Sequence, residues 1–141
     1  MIKAEELSIG DWVNVLNYHW DGSPYAGKVD GIIKKHGTYY LQFGSALSAE
    51  IDRCEPIPIT KEILEKNGFV IKKKWAQMGN FGNSPLIMWH FEDEPILHDF
   101  KHELEIHQND TGKVHVQIPC EYVHKLQHAL RLCGITKNIE L

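Results

Sequence analysis

Nine histidines are the residues of this sequence best suited to bind a metal ion. His98 and His102 are four residues apart, as are His124 and His128, and such a pair on one helix can supply two zinc ligands. A functional zinc site needs at least a third ligand, and the H-E-x-x-H pattern that would add a carboxylate base is absent. We therefore expect no metal, and we expect His124 and His128 to lie on a solvated polar face of a helix.

The candidate nucleophiles have no catalytic context. Cys120 lies four residues before His124, and a thiol at a helix N-terminus can have a lowered pKa, but one histidine does not make a Cys-His site and we expect a buried thiol. No serine has the G-x-S-x-G pattern of a hydrolase, and no glycine-rich phosphate loop precedes a helix. The three cysteines lack C-x-x-C spacing, which argues against a disulfide framework. The sequence thus predicts a protein that is not an enzyme and has no cofactor.

Aromatic residues in the first third of the chain are the best candidates for a binding surface. Rings near the turns of small barrels can stack on bases, insert into protein pockets or enclose cations. The same rings could instead fill a core that is too small for aliphatic side chains alone, so the sequence leaves both interpretations open. The residues predicted to bind a partner are Tyr18, Trp20, Tyr25 and Tyr40. Nucleic-acid binding is the alternative, favoured by the nearby Lys28, Lys34 and Lys35.

Short strands separated by turns must position these aromatic residues. The chain alternates in polarity from Leu7 to Val15, has a turn cluster at 21–24, and predicts further strands at 27–33, 38–43 and 50–54. The opening Ile-Gly-Asp-Trp-Val, followed by Gly-Lys-Val and an aromatic strand, resembles SH3-like barrels of the KOW or Tudor kind. Residues 1–55 are therefore predicted to form an SH3-like β-barrel.

The segment Glu55-Pro56-Ile57-Pro58-Ile59 is predicted to be the domain boundary, because its two prolines favour extended backbone and exclude a helix. Thr60 can then cap a short helix at 61–67. Gly68 can adopt the left-handed conformation that ends this helix. A second, α+β domain is predicted from this linker to the last residue, over 56–141.

The second domain is predicted to contain an antiparallel sheet covered by a helix. Strands are expected at 69–77, 86–91 and 135–141, and an amphipathic helix at 121–133. A hairpin at 102–118 should place Ile106 opposite Val116 and Leu104 opposite Ile118, with a loop at 110–112, because directly opposite residues share a face. The fold class is therefore α+β, with a small SH3-like β-barrel followed by an antiparallel sheet packed with two helices.

Composition and charge limit the class of protein. Hydrophobic residues make up 43% of the 141 residues and charged residues 24%, as in ordinary globular proteins. The net charge of −4 does not provide the strong basic field typical of nucleic-acid binders, although a local basic face is compatible with it. The N-terminus has no apolar run of a signal peptide, and no stretch approaches the roughly 18 apolar residues of a membrane helix. We expect a cytoplasmic protein without membrane contact.

Two segments, PIPITKEILEKNGF at 56–69 and EYVHKLQHAL at 121–130, resemble a group of small uncharacterised proteins from phages, prophages and mobile elements of gut bacteria. Proteins of that group open with a leucine-x-isoleucine-glycine strand, carry a similar proline-rich linker and end with a similar helix. Residues 126–134 depart from the aromatic-rich ending of the group. The resemblance implies no activity and no catalytic residues. It implies an accessory protein of a mobile element that binds a protein partner, with nucleic-acid binding as the alternative.

Overall fold

The computed structural model describes residues 1–44, 46–79, 85–91, 102–107 and 116–141. Over these ranges the chain is mixed, with eleven strands in three antiparallel sheets and two α-helices, so the predicted α+β class is confirmed. Backbone contacts divide the chain into unit 1, Met1–Ile57, and unit 2, Pro58–Leu141. The division falls inside the proline-containing segment.

Unit 1 consists of short strands and two 3-10 turns, at Ala4–Glu6 and Ile51–Arg53. The strands are β1 (Trp12–Val15), β2 (Tyr25–Lys28), β3 (Gly31–Lys35), β4 (Thr38–Phe43), β5 (Leu47–Glu50) and β6 (Cys54–Pro56). They form sheets of the orders β2-β1-β6 and β3-β4-β5. The single strand predicted at 50–54 is wrong, because a 3-10 turn in which the Cys54 N–H bonds the Ile51 carbonyl interrupts it.

The segment between β2 and β3 passes from one sheet of unit 1 to the other. The Val29 N–H bonds the Asp11 carbonyl at 2.8 Å, and the next N–H, of Asp30, bonds the Gln42 carbonyl at 2.8 Å. These hydrogen bonds leave two separate sheets in the described residues and do not close a barrel. The core forms because strand alternation turns one side of each strand inward. It includes Val13, Val15, Val29, Leu41 and Phe43.

The described residues of unit 2 form two helices and five strands: α1 (Lys61–Lys66), β7 (Val70–Ile71), β8 (Trp75–Met78), β9 (Leu86–His90), β10 (Glu103–His107), β11 (Val116–Pro119) and α2 (Val123–Leu132). These strands form a sheet of order β11-β10-β9-β8-β7. The single strand predicted at 69–77 is wrong, because the lysine run at 72–74 forms a turn in which the Lys72 N–H bonds the Trp75 carbonyl at 2.7 Å. No strand is found at 135–141, where the sequence predicts one.

The register of the predicted hairpin is confirmed. Ile106 pairs with Val116 and Leu104 pairs with Ile118. Leu104 and Ile106 are fully buried, which is the physical reason for this register, because a slip by one residue would turn both side chains to the other face. The loop predicted at 110–112 lies outside the described residues.

Helix α1 has the predicted start and stop signals, although it ends one residue earlier than predicted. The Thr60 hydroxyl accepts a hydrogen bond from the Ile63 N–H at 3.3 Å. At the other end Gly68 has φ +85°, and the Phe69 N–H bonds the Leu64 carbonyl at 3.0 Å. This is the Schellman arrangement that satisfies the last carbonyls of a helix.

Helix α2 runs from Val123 to Leu132, two residues shorter at its start than predicted, because the Tyr122 backbone is extended and bridges to Pro58. The prediction that His124 lies on a solvated face is wrong, since this side chain is only 1% exposed. Its ring stacks parallel to that of Tyr122 at 6.0 Å. The buried arc of the helix therefore also includes polar side chains, and only His128 of the pair is partly exposed.

Candidate functional site

The aromatic residues nominated from the sequence differ in their exposure. Trp20 is fully exposed and Tyr18 is 44% exposed. Tyr25 and Tyr40 are partly buried. The sequence left open whether these rings form a binding surface or fill the core. The first interpretation applies to Trp20, which contributes nothing to a core, and the second applies to Tyr25, which packs against the core cluster of unit 1.

Trp20 lies at the tip of the segment that joins β1 to β2, residues 16–24, which we call the aromatic loop. Backbone hydrogen bonds close its tip, from the His19 N–H to the Ser23 carbonyl at 3.2 Å and from the Gly22 N–H to the His19 carbonyl at 2.9 Å. The Asp21 side chain accepts a bond from the Ser23 N–H at 2.9 Å. These local bonds hold the tip in a defined turn.

The base of the aromatic loop is held by a distant residue of unit 1. The Arg53 guanidinium donates to the Leu16 carbonyl at 3.2 Å and to the Asn17 carbonyl at 3.5 Å. Asn17 has φ +52°, a left-handed conformation that asparagine tolerates better than most residues. The arginine therefore satisfies carbonyls that the bend turns away from β1.

A column of rings connects the aromatic loop to the core. The Tyr18 ring lies 4.9 Å from that of Tyr25, and the Tyr25 ring lies 6.2 Å from that of Phe43 at an angle of 89°. Gly27 makes room for this column, because a Cβ atom there would come within 2.5 Å of the Phe43 ring. Ring pairs at such separations are favourable, so Tyr18 is positioned on a rigid base.

Tyr40 does not belong to this column. It lies on β4, where its hydroxyl donates to the Glu50 carboxylate at 3.2 Å, and this hydrogen bond raises the pKa of Tyr40. Of the four nominated residues, the structure joins Tyr18 and Tyr25 by a ring contact and places Trp20 two residues from Tyr18 in the same loop.

The charge around the aromatic loop is negative. Hydrogen bonds from Ser23 hold the pKa of Asp21 below its usual range, so this carboxylate is ionised at neutral pH. Unit 1 contains five Lys and Arg against eight Asp and Glu residues. Two of the lysines considered for nucleic-acid binding lie over rings of the unit itself: the Lys28 ammonium is 6.0 Å from the Trp12 ring and the Lys34 ammonium is 5.0 Å from the Tyr39 ring.

A second group of titratable side chains lies on one face of the sheet of unit 2. The Glu105 carboxylate oxygen Oε2 is 3.6 Å from His90 Nε2 and 3.4 Å from His107 Nε2. The neighbouring His90 imidazole is the largest cause that lowers the pKa of Glu105 to about 2, and His107 adds to it, whereas burial acts in the opposite direction. Next to it, Gln117 donates to the buried Glu103 carboxylate at 2.6 Å.

Strand register explains the arrangement of this His-Glu-His group. Glu105 pairs with Met88, and the two histidines lie on either side of that pair, since His90 is opposite Glu103 and His107 is opposite Leu86. The imidazoles thus approach the carboxylate from opposite directions along the strands. In the part of the chain that the structure describes, no three His, Cys, Asp or Glu side chains are grouped to hold a metal ion.

Sequence reasoning missed the His-Glu-His group although part of its signal was visible. The alternation in Glu103-Leu-Glu-Ile-His107 places the acidic and histidine side chains together on one face, but only the apolar face was used to set the register. His90 could not be assigned to the group, because the pairing of β9 with β10 is a contact between distant segments.

The thiol considered as a nucleophile is buried and protonated. Cys120 is fully buried, and burial raises its pKa to about 12. Its carbonyl accepts a hydrogen bond from the Trp89 indole at 2.7 Å, which fixes the chain just before α2. Burial also raises the pKa of Cys54, to about 11. Ser48 lies on β5, and His98, Ser45 and Ser84 lie outside the described residues.

Searches of protein-family models, curated proteins and solved structures find no match to this chain. None of the helices described is both long and apolar enough to cross a membrane.

Proposed function

We propose that this protein is a non-enzymatic interaction module that binds a protein partner through the aromatic loop. One observation carries the proposal: Trp20 is fully exposed in a loop whose tip and base are held by hydrogen bonds. Tryptophan and tyrosine are the residues most enriched among those that dominate binding energy at protein interfaces. A loop whose backbone is already held also loses little backbone conformational entropy when it binds, which favours affinity.

The neighbouring rings extend the surface that Trp20 offers. Tyr18 is 44% exposed, and its ring contacts those of Tyr25 at 4.9 Å and His19 at 5.0 Å. An anchor ring beside a second, partly exposed ring is a common composition for the centre of an interface. Tyr40 is less suited to contribute, because its hydroxyl is engaged by Glu50.

We further propose that unit 1 is an SH3-like module. The order of its strands supports this, because the run from β2 to β3 contributes to both sheets and a 3-10 turn separates β5 from β6. Small β-folds of this kind bind through the loops that connect their strands. A role as an accessory protein of a phage or mobile element, acting in the cytoplasm, agrees with the resemblance of segments 56–69 and 121–130.

The test is capture of a partner by the full chain. Immobilised wild-type protein and the variants Trp20→Ala and Ile9→Ala are exposed to an extract of the natural host, and the retained proteins are compared. Ile9 is the matched control, because it is an exposed apolar residue of unit 1 outside the aromatic loop. We expect a protein that is retained by the wild type and by Ile9→Ala and is lost with Trp20→Ala, and that binds the purified chain in calorimetry.

Retention of the same proteins by Trp20→Ala would refute the proposal. Nuclease treatment and a salt titration distinguish the nucleic-acid alternative. Binding to nucleic acid weakens steeply with salt as counterions are released, and the acidic balance of unit 1 argues against it. Capture that disappears after nuclease treatment would favour the alternative.

A further inference from the structure

The aromatic loop combines exposed ring faces with a negative charge. Asp21 follows Trp20 directly, and the Asp21 carboxylate is oriented by its hydrogen bond from the Ser23 N–H. The loop sequence, residues 16–24, contains no lysine or arginine. Arg53 contacts the loop at its base, where its guanidinium donates to the Leu16 and Asn17 carbonyls. The tip therefore has π-electron density and a carboxylate that no described lysine or arginine contacts.

We propose that the occupant of the aromatic loop is an arginine-bearing segment of the partner protein, with a guanidinium placed over the Trp20 or Tyr18 ring and hydrogen-bonded to the Asp21 carboxylate. This inference rests on the proposed function and specifies the partner for the same site. A guanidinium stacks on ring faces and donates in a fork to a carboxylate, so it satisfies both features of the tip at once.

Other occupants fit the tip less well. A purely apolar segment would take the charged Asp21 carboxylate out of water without supplying a cation to pair with it, which is costly. A nucleic acid or an anionic lipid surface would bring like charges to Asp21 and to a unit with eight acidic residues and five basic ones. The chain itself already pairs cations with rings elsewhere in unit 1, where the Lys34 ammonium lies 5.0 Å from the Tyr39 ring.

The test uses labelled peptides with blocked ends and the full-length chain. Fluorescence anisotropy compares an arginine–glycine repeat with the matching citrulline–glycine and glutamate–glycine repeats and with oligothymidylate. Citrulline is the matched control, since it keeps the size of arginine and removes the charge. We expect the arginine peptide to bind at least about tenfold more tightly than the citrulline peptide, a difference that corresponds to about 1.4 kcal/mol, and no binding of the glutamate peptide.

Variants distinguish binding of the arginine peptide at the aromatic loop from a general attraction of a cationic peptide to an acidic protein. Trp20→Ala removes the ring without changing the charge, and Asp21→Asn removes one charge. Each is expected to weaken binding of the arginine peptide at least about fivefold. Ile9→Ala and Glu6→Gln, exposed positions outside the aromatic loop, are expected to leave it unchanged. Circular dichroism and melting curves verify that every variant folds.

Several outcomes would overturn the inference. The inference fails if the citrulline peptide binds as tightly as the arginine peptide, or if the arginine peptide does not bind. It also fails if Glu6→Gln weakens binding of the arginine peptide as much as Asp21→Asn does, or if oligothymidylate binds more tightly than the arginine peptide. If the chain self-associates in ultracentrifugation and Trp20→Ala abolishes this, the occupant of the aromatic loop is a second copy of the chain and not an arginine-bearing partner. The proposed function fails separately, when Trp20→Ala leaves capture intact. It survives if capture depends on Trp20 but the peptides show no preference for arginine.

Discussion

Replacing Asn67 with alanine is expected to destabilise unit 2, although this residue is polar and short. Asn67 is 4% exposed and follows the last residue of α1. Its side-chain amide donates to the Ile63 carbonyl at 2.7 Å and to the Glu140 carbonyl at 2.6 Å, and its oxygen accepts from the Glu140 N–H at 2.8 Å. The asparagine thus pairs with the C-terminal segment as a neighbouring strand would.

The expected magnitude follows from these three hydrogen bonds. A net contribution of about 0.5–1.5 kcal/mol for each gives about 1.5–4.5 kcal/mol in total. Two facts reduce that range. Glu140 is exposed, so water can satisfy part of its backbone in the variant. The Ile63 carbonyl also keeps the Asn67 backbone N–H at 3.2 Å. We therefore expect Asn67→Ala to lower the free energy of unfolding by about 1–3 kcal/mol.

Asn67→Asp is the discriminating variant because it keeps the size of the side chain. It retains an oxygen that can accept from the Glu140 N–H. Its second oxygen, however, takes the place of the amide nitrogen that donates to the Ile63 and Glu140 carbonyls, so acceptors would face acceptors. At neutral pH it should be at least as damaging as alanine, and protonation of the carboxyl in acid should restore part of the loss, since a protonated acid can donate.

Urea denaturation measures the free energy of unfolding of both variants, and amide exchange of residues 135–141 reports whether the C-terminal segment is released. A change below about 0.5 kcal/mol for Asn67→Ala, within the range of ordinary surface substitutions, would refute this account. An Asn67→Asp variant that is more stable than Asn67→Ala at neutral pH would refute it as well.

Three further predictions concern single groups of the fold. Because the folded-state pKa of Glu105 is about 2 against an ordinary value of 4.5, this carboxylate stabilises the fold fully above its ordinary pKa and loses that effect as pH falls through the folded-state value. Glu105→Gln should therefore cost about 1–2 kcal/mol above that window after allowance for solvent screening, and the difference from wild type should shrink in acid titrations followed by denaturation. Thr60→Ala should cost about 1 kcal/mol in urea denaturation through loss of the helix cap, whereas Thr60→Ser should cost less because it keeps the hydroxyl. A thiol reagent should label Cys133, which is partly exposed, faster than the buried Cys54 and Cys120 in the folded protein, and comparable labelling rates for all three would contradict the burial of the latter two.

The local elements that the sequence predicted well are those whose signals lie within a few residues. The cap at Thr60 and the stop at Gly68 depend on side-chain oxygen and glycine chemistry next to the helix ends. The pairing of Ile106 with Val116 follows from alternation on both strands. Each of these features forms from the pattern of a single short segment or of two strands close in sequence.

The elements predicted wrongly depend on contacts between distant segments. The 135–141 segment is held by the side chain of Asn67 rather than by a sheet, and no local pattern indicates that. His124 is polar, and helical periodicity alone places it on the solvated face, whereas the structure buries it. The lysine run at 72–74 is the exception, because it is compatible with an exposed strand or with a turn, and the local pairing of β7 with β8 decides for the turn.

The sequence by itself determined the α+β class, the start and stop signals of α1, the hairpin register and the set of aromatic residues from which a binding surface could be drawn, because composition, periodicity and capping are local properties of the chain. Only the tertiary structure decided which of those rings lie in solvent and which support them. It also brought His90 to Glu105 across the β9–β10 register. The physical reason is that burial and electrostatic environment arise from segments far apart in sequence, so a tyrosine in the core and a tryptophan at a loop tip look alike until the chain has folded.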